Sequence, residues 1–248
     1  MKDQVIALQR TIGKAVVFGA SGAIGSAFVE TVADRYPNCD IVAVSRSDDD
    51  ARPPVRGLIY DPDDAISVRE TCRAVVEPNP PDLVVIATGI LHDEGIAPEK
   101  SLRDLDSAQL QRLFAVNTVL PAMIVSHLSP LMHRQRPYTI AALSARVGSI
   151  SDNRLGGWYA YRASKAALNM IIRTASIEIA RRNPQSIIVG LHPGTVNSAL
   201  SRPFQSSVPD GKLFAPDFAA GKLLDVLEGL EPSDSGGCFD WAGKEIPA

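Results

Sequence analysis

The stretch "KAVVFGASGAIGSAFVE", residues 14–30, joins a short apolar run, a glycine-rich turn and the beginning of a longer pattern. The run AVVF, 15–18, predicts a buried strand. AIGSAFVETVADRY, 23–36, predicts a helix that ends before Pro37. Because the turn leads straight from a strand into a helix, this stretch predicts the start of a βαβ unit and hence a parallel sheet.

The same alternation continues along the chain. Further strands are predicted at 40–45, 57–60, 82–88, 138–145, 186–193 and 235–243, and helices at 64–77, 106–132 with a kink at Pro121, 159–182 and 218–230. No linker-like break and no internal repeat divides the pattern. We therefore predict a single domain over 1–248 of the Rossmann-type doubly wound α/β class, with about seven parallel strands, helices on both faces and a lid at about 195–215.

The composition excludes several classes of protein. The 248 residues are 45% hydrophobic and carry a net charge of −3, which leaves no excess of cations for binding nucleic acid. The three cysteines have neither a disulfide framework nor a metal-ligand spacing, so we expect no metal site. The amino terminus lacks a signal peptide, and runs such as LVVIATGIL fall short of the roughly 20 residues that span a bilayer. The expectation is a cytoplasmic protein without membrane contact.

The glycine-rich turn, Gly19–Gly25, is a candidate site for a pyrophosphate. Glycines let a phosphate approach the backbone, and a helix that starts there offers unpaired N–H groups and a favourable dipole. The candidate ligands are Gly19, Ser21, Gly22, Ala23 and Ile24. A tight strand-to-helix turn with no ligand would use the same glycines, so the turn alone leaves both interpretations open.

A second candidate site lies in "GWYAYRASKAALN", 157–169, where Tyr161 and Lys165 are spaced i, i+4 on one helix face. Tyr159 has Ala163 at that offset and faces elsewhere. A lysine ammonium about 4 Å from a phenolate contributes roughly 4 kcal/mol at an effective dielectric of 20, or about three pKa units before desolvation. We therefore expect Lys165 to lower the pKa of Tyr161 towards the range useful for proton transfer.

Two more residues complete the predicted catalytic set. Ser144 closes the fifth predicted strand, at the edge where open α/β sheets bind ligands, and there it could donate to a substrate oxygen. Asn117 lies in the long apolar helix. Taken alone, Tyr161 could be an ordinary amphipathic residue with Lys165 as its solvated neighbour, but the joint occurrence of the four residues favours catalysis. His92 and His192 lack metal-ligand spacing and are expected to pack or to face the substrate.

These motifs together resemble the short-chain dehydrogenase/reductase family. The family pattern TGxxxGxG lies over Phe18–Gly25, with Phe18 in place of the threonine and Ala23 in place of the middle glycine. Its YxxxK motif matches Tyr161–Lys165, and "HPGTVNS" follows in the family order. The resemblance runs from about Gly13 to the end of the sequence. A less specific likeness of "LHDEG" and "FDWAGKEIP" points to the C-factor-like subgroup, some of whose members act in intercellular signalling.

The resemblance implies roles for individual residues. Tyr161 would transfer the hydroxyl proton, Lys165 bind the nicotinamide ribose, Ser144 hold the substrate and Asn117 support a water relay. The positions expected to contact the cofactor elsewhere are Asp61, Ala87, Thr88, Gly89, Pro193, Gly194 and Val196, with Ala87 or Thr88 replacing the family's asparagine.

The end of the second predicted strand bears on the choice of cofactor. Ser45 stands where an acidic residue would bind the ribose 2′-hydroxyl of NAD, and the neighbouring Arg46 can pair with a 2′-phosphate. NADP is therefore favoured over NAD. The alternative is a solvated Arg46 beside Asp48, Asp49 and Asp50, whose carboxylates would weaken that pairing.

The predicted function is an NADPH-preferring oxidoreductase that interconverts a small-molecule carbonyl and an alcohol. The alternative is a dinucleotide-binding signalling or regulatory protein of the C-factor-like type with little relevant turnover. An epimerase is less favoured, because little chain follows the proline-glycine loop. The family resemblance also implies a homodimer or homotetramer formed by pairing long helices.

Overall fold

The computed structural model describes residues 11–47, 55–93 and 95–248. Its strands are β1 Lys14–Phe18, β2 Asp40–Ser45, β3 Arg56–Ile59, β4 Leu83–Ile86, β5 Thr139–Leu143, β6 Ile187–His192, β7 Thr195–Val196, β8 Leu213–Phe214 and β9 Cys238–Asp240. Its α-helices are α1 Ala23–Arg35, α2 Ala65–Val75, α3 Ser107–Phe114, α4 Leu120–Leu128, α5 Tyr159–Arg182 and α6 Pro216–Gly229.

Seven strands form one sheet in the order β3-β2-β1-β4-β5-β6-β9, and each neighbouring pair is parallel. Every residue of β1, β4 and β5 is buried, because helices cover both faces of the sheet. One apolar core contains Leu168 and Ile172 of α5, and the core on the opposite face contains Phe28 of α1 and Leu223 of α6. The predicted Rossmann-type doubly wound class is confirmed.

The strand order places the site. The chain runs outward from β1 to β3 and then returns to β4 on the other side of β1. Ligands of such sheets bind outside the carboxyl ends of the strands where the order reverses. Gly19 follows β1 and Ala87 follows β4, so the two loops meet at this point.

The predicted helix over 106–132 is divided. α3 passes into a π-helical turn at Ala115–Val119, and α4 follows. The N–H of Leu120 donates to the carbonyl of Ala115, five residues back. Pro121 has no N–H to offer the carbonyl of Asn117, and a widened turn accommodates that loss. The turn brings Asn117 into the site.

By length and composition alone, the helical stretch Ser107–Leu131 could cross a bilayer. Nearly half of its most apolar window is buried, and it packs against α2 and α5. Its α4 residues Ile124, Val125 and Leu128 belong to the core of the α5 face. These contacts are those of a core helix.

The segment predicted as a lid contains β7, a short 3-10 helix at Arg202–Ser207 and β8. β7 and β8 pair in parallel and form a small sheet of their own. The segment therefore has regular structure and leads directly into α6.

Candidate active site

The glycine-rich turn is compact. Gly19 has a positive φ of 79°, and a Cβ built there would lie 3.0 Å from the carbonyl carbon of Ala87. A Cβ at Gly25 would lie 2.2 Å from the carbonyl oxygen of Gly19, so only glycine fits. α1 begins after Gly22 without a side-chain cap. The first N–H groups of α1 face outward without a side-chain acceptor, an arrangement suited to an anion.

The end of β2 presents a cation. The Ser45 hydroxyl donates to the carbonyl of Ser47. Arg46 is exposed and forms no ion pair with any residue that the structure describes. Asp48, Asp49 and Asp50, which could compete for it, lie outside the described residues. Asp61 accepts from the N–H of Asp63 at 2.9 Å and stays exposed.

Three predicted site residues, Gly89, Asn117 and Lys165, lie close together beyond the carboxyl end of β4. A Cβ built at Gly89 would lie 3.4 Å from both Oδ1 of Asn117 and Nζ of Lys165. The Asn117 side chain, which is fully buried, accepts from the N–H of Ile90 and donates to its carbonyl, each at 2.8 Å. Thr88 carries a buried hydroxyl without a hydrogen-bond partner among the described residues. These contacts place Gly89, Asn117 and Lys165 side by side at this edge of the sheet.

Tyr161 and Lys165 share one face of α5 and are both buried. Lys165 donates from Nζ to the carbonyl of Leu143 at 2.8 Å, and no second acceptor is found among the described residues. Its Nζ lies 5.8 Å from the centre of the Tyr161 ring. Tyr159 is only half-buried at the start of the helix.

Burial controls both pKa values. It raises the pKa of Tyr161 to about 12 and lowers the pKa of Lys165 to about 8. The expected lowering of the Tyr161 pKa by Lys165 is not found in this pocket, where burial alone accounts for the raised pKa. Tyr161 is therefore protonated at neutral pH.

Ser144 has a hydrogen-bond partner within the protein. Its hydroxyl donates to Oδ1 of Asn169, one turn beyond Lys165 on α5, at 2.6 Å. A hydroxyl has one proton, so this bond and donation to a substrate oxygen exclude each other. The next residue, Ala145, belongs to the buried apolar cluster that contains Tyr161. The expected hydrogen bond from Ser144 to a substrate oxygen stays a prediction.

The loop after β6 is held by aromatic packing. Gly194 has a φ of 77°, and a Cβ built there would lie 2.7 Å from the Phe214 ring. Phe214 packs on Trp241 with ring centres 4.7 Å apart. Pro193 and Val196 are buried in the same loop. These contacts fix the predicted nicotinamide loop against β8 and the segment after β9.

Trp158, which the sequence did not single out, forms an aromatic cluster with Phe204 and His92 beside Tyr161. Trp158 packs edge-on to the Tyr161 ring at 6.2 Å and against Phe204 of the lid at 5.1 Å. His92 contacts Phe204 at 6.0 Å, and its Nε2 lies 3.1 Å from the carbonyl oxygens of Ala199 and Leu200. Because carbonyl oxygens only accept hydrogen bonds, the proton of His92 must be on Nε2. His92 therefore binds the loop between β4 and α3 to the lid through these two carbonyls.

These observations fit a dinucleotide. One edge of the sheet carries three groups that lack partners among the described residues. They are the start of α1, the hydroxyl of Thr88 and the remaining N–H groups of Lys165. No group of three or more His, Cys, Asp or Glu side chains that could hold a metal ion occurs within 11–47, 55–93 and 95–248.

A family model described as short chain dehydrogenase matches residues 13–208. The C-signal of Myxococcus xanthus is 38% identical over 147 residues, which are 59% of this chain and 83% of that protein. A Rhodococcus protein, 1-hydroxy-2-glutathionyl-2-methyl-3-butene dehydrogenase, is 29% identical over 147 residues, 59% of this chain and 62% of its own length.

Solved structures share the fold. The carbonyl reductase Sniffer of D. melanogaster superposes with a TM-score of 0.81 at 19% identity, over 96% of this chain and 100% of that one. The NADPH-bound carbonyl reductase from chicken fatty liver gives 0.79 at 23% identity, over 96% and 99%. At such identities the likeness concerns the fold alone.

Proposed function

The chain belongs to the short-chain dehydrogenase family, a family of oxidoreductases, and on that premise we propose that it reduces carbonyl compounds to alcohols with NADPH. One observation carries the proposal. Gly89, Asn117 and Lys165 meet beside Tyr161, a buried phenol that keeps its proton at neutral pH. Such a group can protonate an oxygen on which negative charge develops.

The residues that would hold the cofactor line the carboxyl edge of the sheet. Gly19, Ser21, Gly22, Ala23 and Ile24 would hold the pyrophosphate, and Lys165 would donate a hydrogen bond to a ribose hydroxyl. Asp61 and the loop of Ala87, Thr88 and Gly89 would lie along the adenosine, with Pro193, Gly194 and Val196 beside the nicotinamide. When bound, NADPH supplies the hydride for the carbonyl carbon.

The chain's own residues handle the proton. Tyr161 donates its phenolic proton to the substrate oxygen. Lys165, whose pKa of about 8 lies near neutrality, returns a proton to the phenolate and regains one from solvent. Asn117 fixes Ile90 and the loop of Gly89 around this path. The Ser144 hydroxyl donates to Asn169 in this structure, so the scheme assigns no proton transfer to it.

The preference for NADPH rests on Arg46. It is exposed, unpaired within the described part of the chain and positioned after β2, where a 2′-phosphate would lie. The chicken carbonyl reductase that shares the fold is described as NADPH-bound, which supports the same choice.

We propose the test in the form of a screen. Purified protein is mixed with NADPH or NADH and a panel of aldehydes and ketones, and consumption of the reduced cofactor is followed. Activity that requires Tyr161 supports the proposal. Activity that survives Tyr161→Phe contradicts the proton assignment.

A second candidate is a dinucleotide-binding signalling protein. The 38% identity to C-signal favours it, as does a Ser144 hydroxyl turned away from the pocket. It predicts NADPH binding without turnover of any carbonyl, and a cellular phenotype that Tyr161→Phe leaves unchanged. The joint occurrence of Asn117, Tyr161 and Lys165 at one site favours the enzyme.

We also propose a homodimer or homotetramer, in the cytoplasm, assembled through the long helices. Val119 of the π turn and Met170 and Ile177 of α5 expose between half and two thirds of their surface. Apolar side chains this exposed on neighbouring helices suit burial against a second copy. Size-exclusion chromatography of wild type and Met170→Lys tests this, and an unchanged monomeric elution of both contradicts it.

A further inference from the structure

Trp158 adopts a backbone conformation that tryptophan rarely takes. Its φ and ψ are 52° and 44°, and it is the sole non-glycine residue with a positive φ in the described chain. It stands immediately before α5, where Ser, Thr, Asp, Asn or Gly is preferred. A bulky residue held in the left-handed region costs free energy and persists where its surroundings enforce it.

Glu99 holds Trp158 in this conformation by accepting two hydrogen bonds, one at its backbone carbonyl and one at its carboxylate. Its carbonyl accepts the N–H of Trp158 at 2.6 Å, and its carboxylate accepts the N–H of Ala160 at 3.3 Å. Glu99 is 2% exposed, so these contacts are shielded from water. Arg162 bonds to the carbonyls of Gly156 and Gly157 and fixes the preceding residues.

The strained turn directs the indole over the reacting group. Trp158 lies edge-on to Tyr161 and against Phe204, and Phe204 in turn meets His92, which holds the lid. The same cluster contains Leu91, Leu113 and Ala145. Tyr161 is therefore bordered by the edge-on indole of Trp158, by Phe204 behind it and by apolar side chains.

We propose that Trp158 is a specificity-determining residue that selects flat, aromatic carbonyl substrates, and that Glu99 is the positioning residue that holds it over Tyr161. An aromatic ring that takes the place of Phe204 against the indole can stack on it, whereas a puckered ring of equal size cannot lie flat on it. The inference rests on the proposed carbonyl reduction and names its substrate class.

The test compares benzaldehyde with cyclohexanecarbaldehyde, which are nearly equal in size and differ in flatness. Wild type is expected to favour benzaldehyde about fivefold or more in kcat/KM, the value of one aromatic contact. Trp158→Phe keeps the preference. Trp158→Leu, apolar but not flat, loses it through KM for benzaldehyde. A preference unchanged in Trp158→Leu overturns the inference.

Glu99 is tested by two variants. Glu99→Gln keeps an acceptor for the N–H of Ala160 and is expected to retain the preference for benzaldehyde. Glu99→Ala removes that acceptor and is expected to lose the preference as Trp158→Leu does. If Glu99→Ala only lowers the melting temperature and keeps the preference, Glu99 supports the fold and does not position Trp158.

A binding measurement distinguishes failure of this inference from failure of the proposed function. Benzyl alcohol and cyclohexylmethanol are compared by thermal shift with NADP present, since a ligand of the native state raises apparent stability. A larger shift with benzyl alcohol that disappears in Trp158→Leu sustains the inference even if no aldehyde is reduced. Equal shifts in wild type overturn it, even if reduction occurs.

Discussion

The hydroxyl of Ser144 donates a hydrogen bond to Oδ1 of Asn169, 2.6 Å away, and so ties the end of β5 to the middle of α5. Ser144 is buried, and a Cβ built at Gly190 of β6 would touch both side chains. The pair therefore lies between the sheet and α5, one helical turn beyond Lys165. A residue in this position contributes to the shape of the site.

Ser144→Ala is expected to remove that bond and lower the free energy of unfolding by about 1–2 kcal/mol. Because the hydroxyl is engaged by Asn169, kcat/KM falls less than about tenfold, whereas loss of a donor to the substrate oxygen costs about 100-fold or more. Urea unfolding and steady-state kinetics measure both, with Asn169→Ala as the matched control. A 100-fold kinetic loss at unchanged stability contradicts this role.

Ala145→Ser is expected to raise activity. Ala145 lies in the buried cluster that contains Tyr161, so a hydroxyl there could donate to the substrate oxygen, a contact that Ser144 does not supply. We expect kcat/KM for an accepted aldehyde to rise about tenfold. This is less than the roughly 100-fold that one well-placed donor to the developing oxyanion contributes in other enzymes. An equal or lower kcat/KM in a variant that melts normally would show that the position does not reach the substrate.

Much of the fold follows from the sequence because its signals are local. The strand over 40–45 and the helix over 159–182 are predicted to the residue, since apolar periodicity and flanking polar residues mark their ends. The π turn at 115–119 is harder to predict, because it depends on how the helix accommodates Pro121. Its consequence, the buried position of Asn117, appears only in three dimensions.

Some features of the site are likewise predictable from the sequence, and others depend on the three-dimensional structure. The i, i+4 spacing predicts that Tyr161 and Lys165 share a face, and they do. The orientation of Ser144 depends on which way the last residue of a strand turns, and the pKa of Tyr161 depends on its burial. Trp158 lies within the quoted motif, but its contact with Phe204, 46 residues later in the chain, cannot be deduced from spacing.

Arg46→Ala is expected to reduce the preference for NADPH over NADH by about 10- to 100-fold, the value of a charge-assisted hydrogen bond. The loss should appear in KM for NADPH, with kinetics on NADH nearly unchanged. Arg134→Ala, an exposed arginine at the opposite edge of the sheet, is the control. An unaltered ratio in Arg46→Ala would mean that Arg46 does not meet the 2′-phosphate.

Lys165 makes stability depend on pH. Its pKa falls from 10.5 unfolded to about 8 folded, so between those values the unfolded chain binds more protons and the native state gains stability as pH rises. Relative to Lys165→Met, wild type should gain up to about 3 kcal/mol between pH 7 and pH 10. Chemical unfolding at several pH values measures the difference. A gap that stays constant with pH would mean that the ammonium is not desolvated.

The most direct test of the whole account is Tyr161→Phe. The variant keeps the ring that packs against Trp158 and removes only the phenolic hydroxyl. The account predicts that kcat for the best aldehyde in the screen falls by about 100- to 10,000-fold, while NADPH still raises the melting temperature as it does for wild type. Turnover at the wild-type rate in Tyr161→Phe would contradict it.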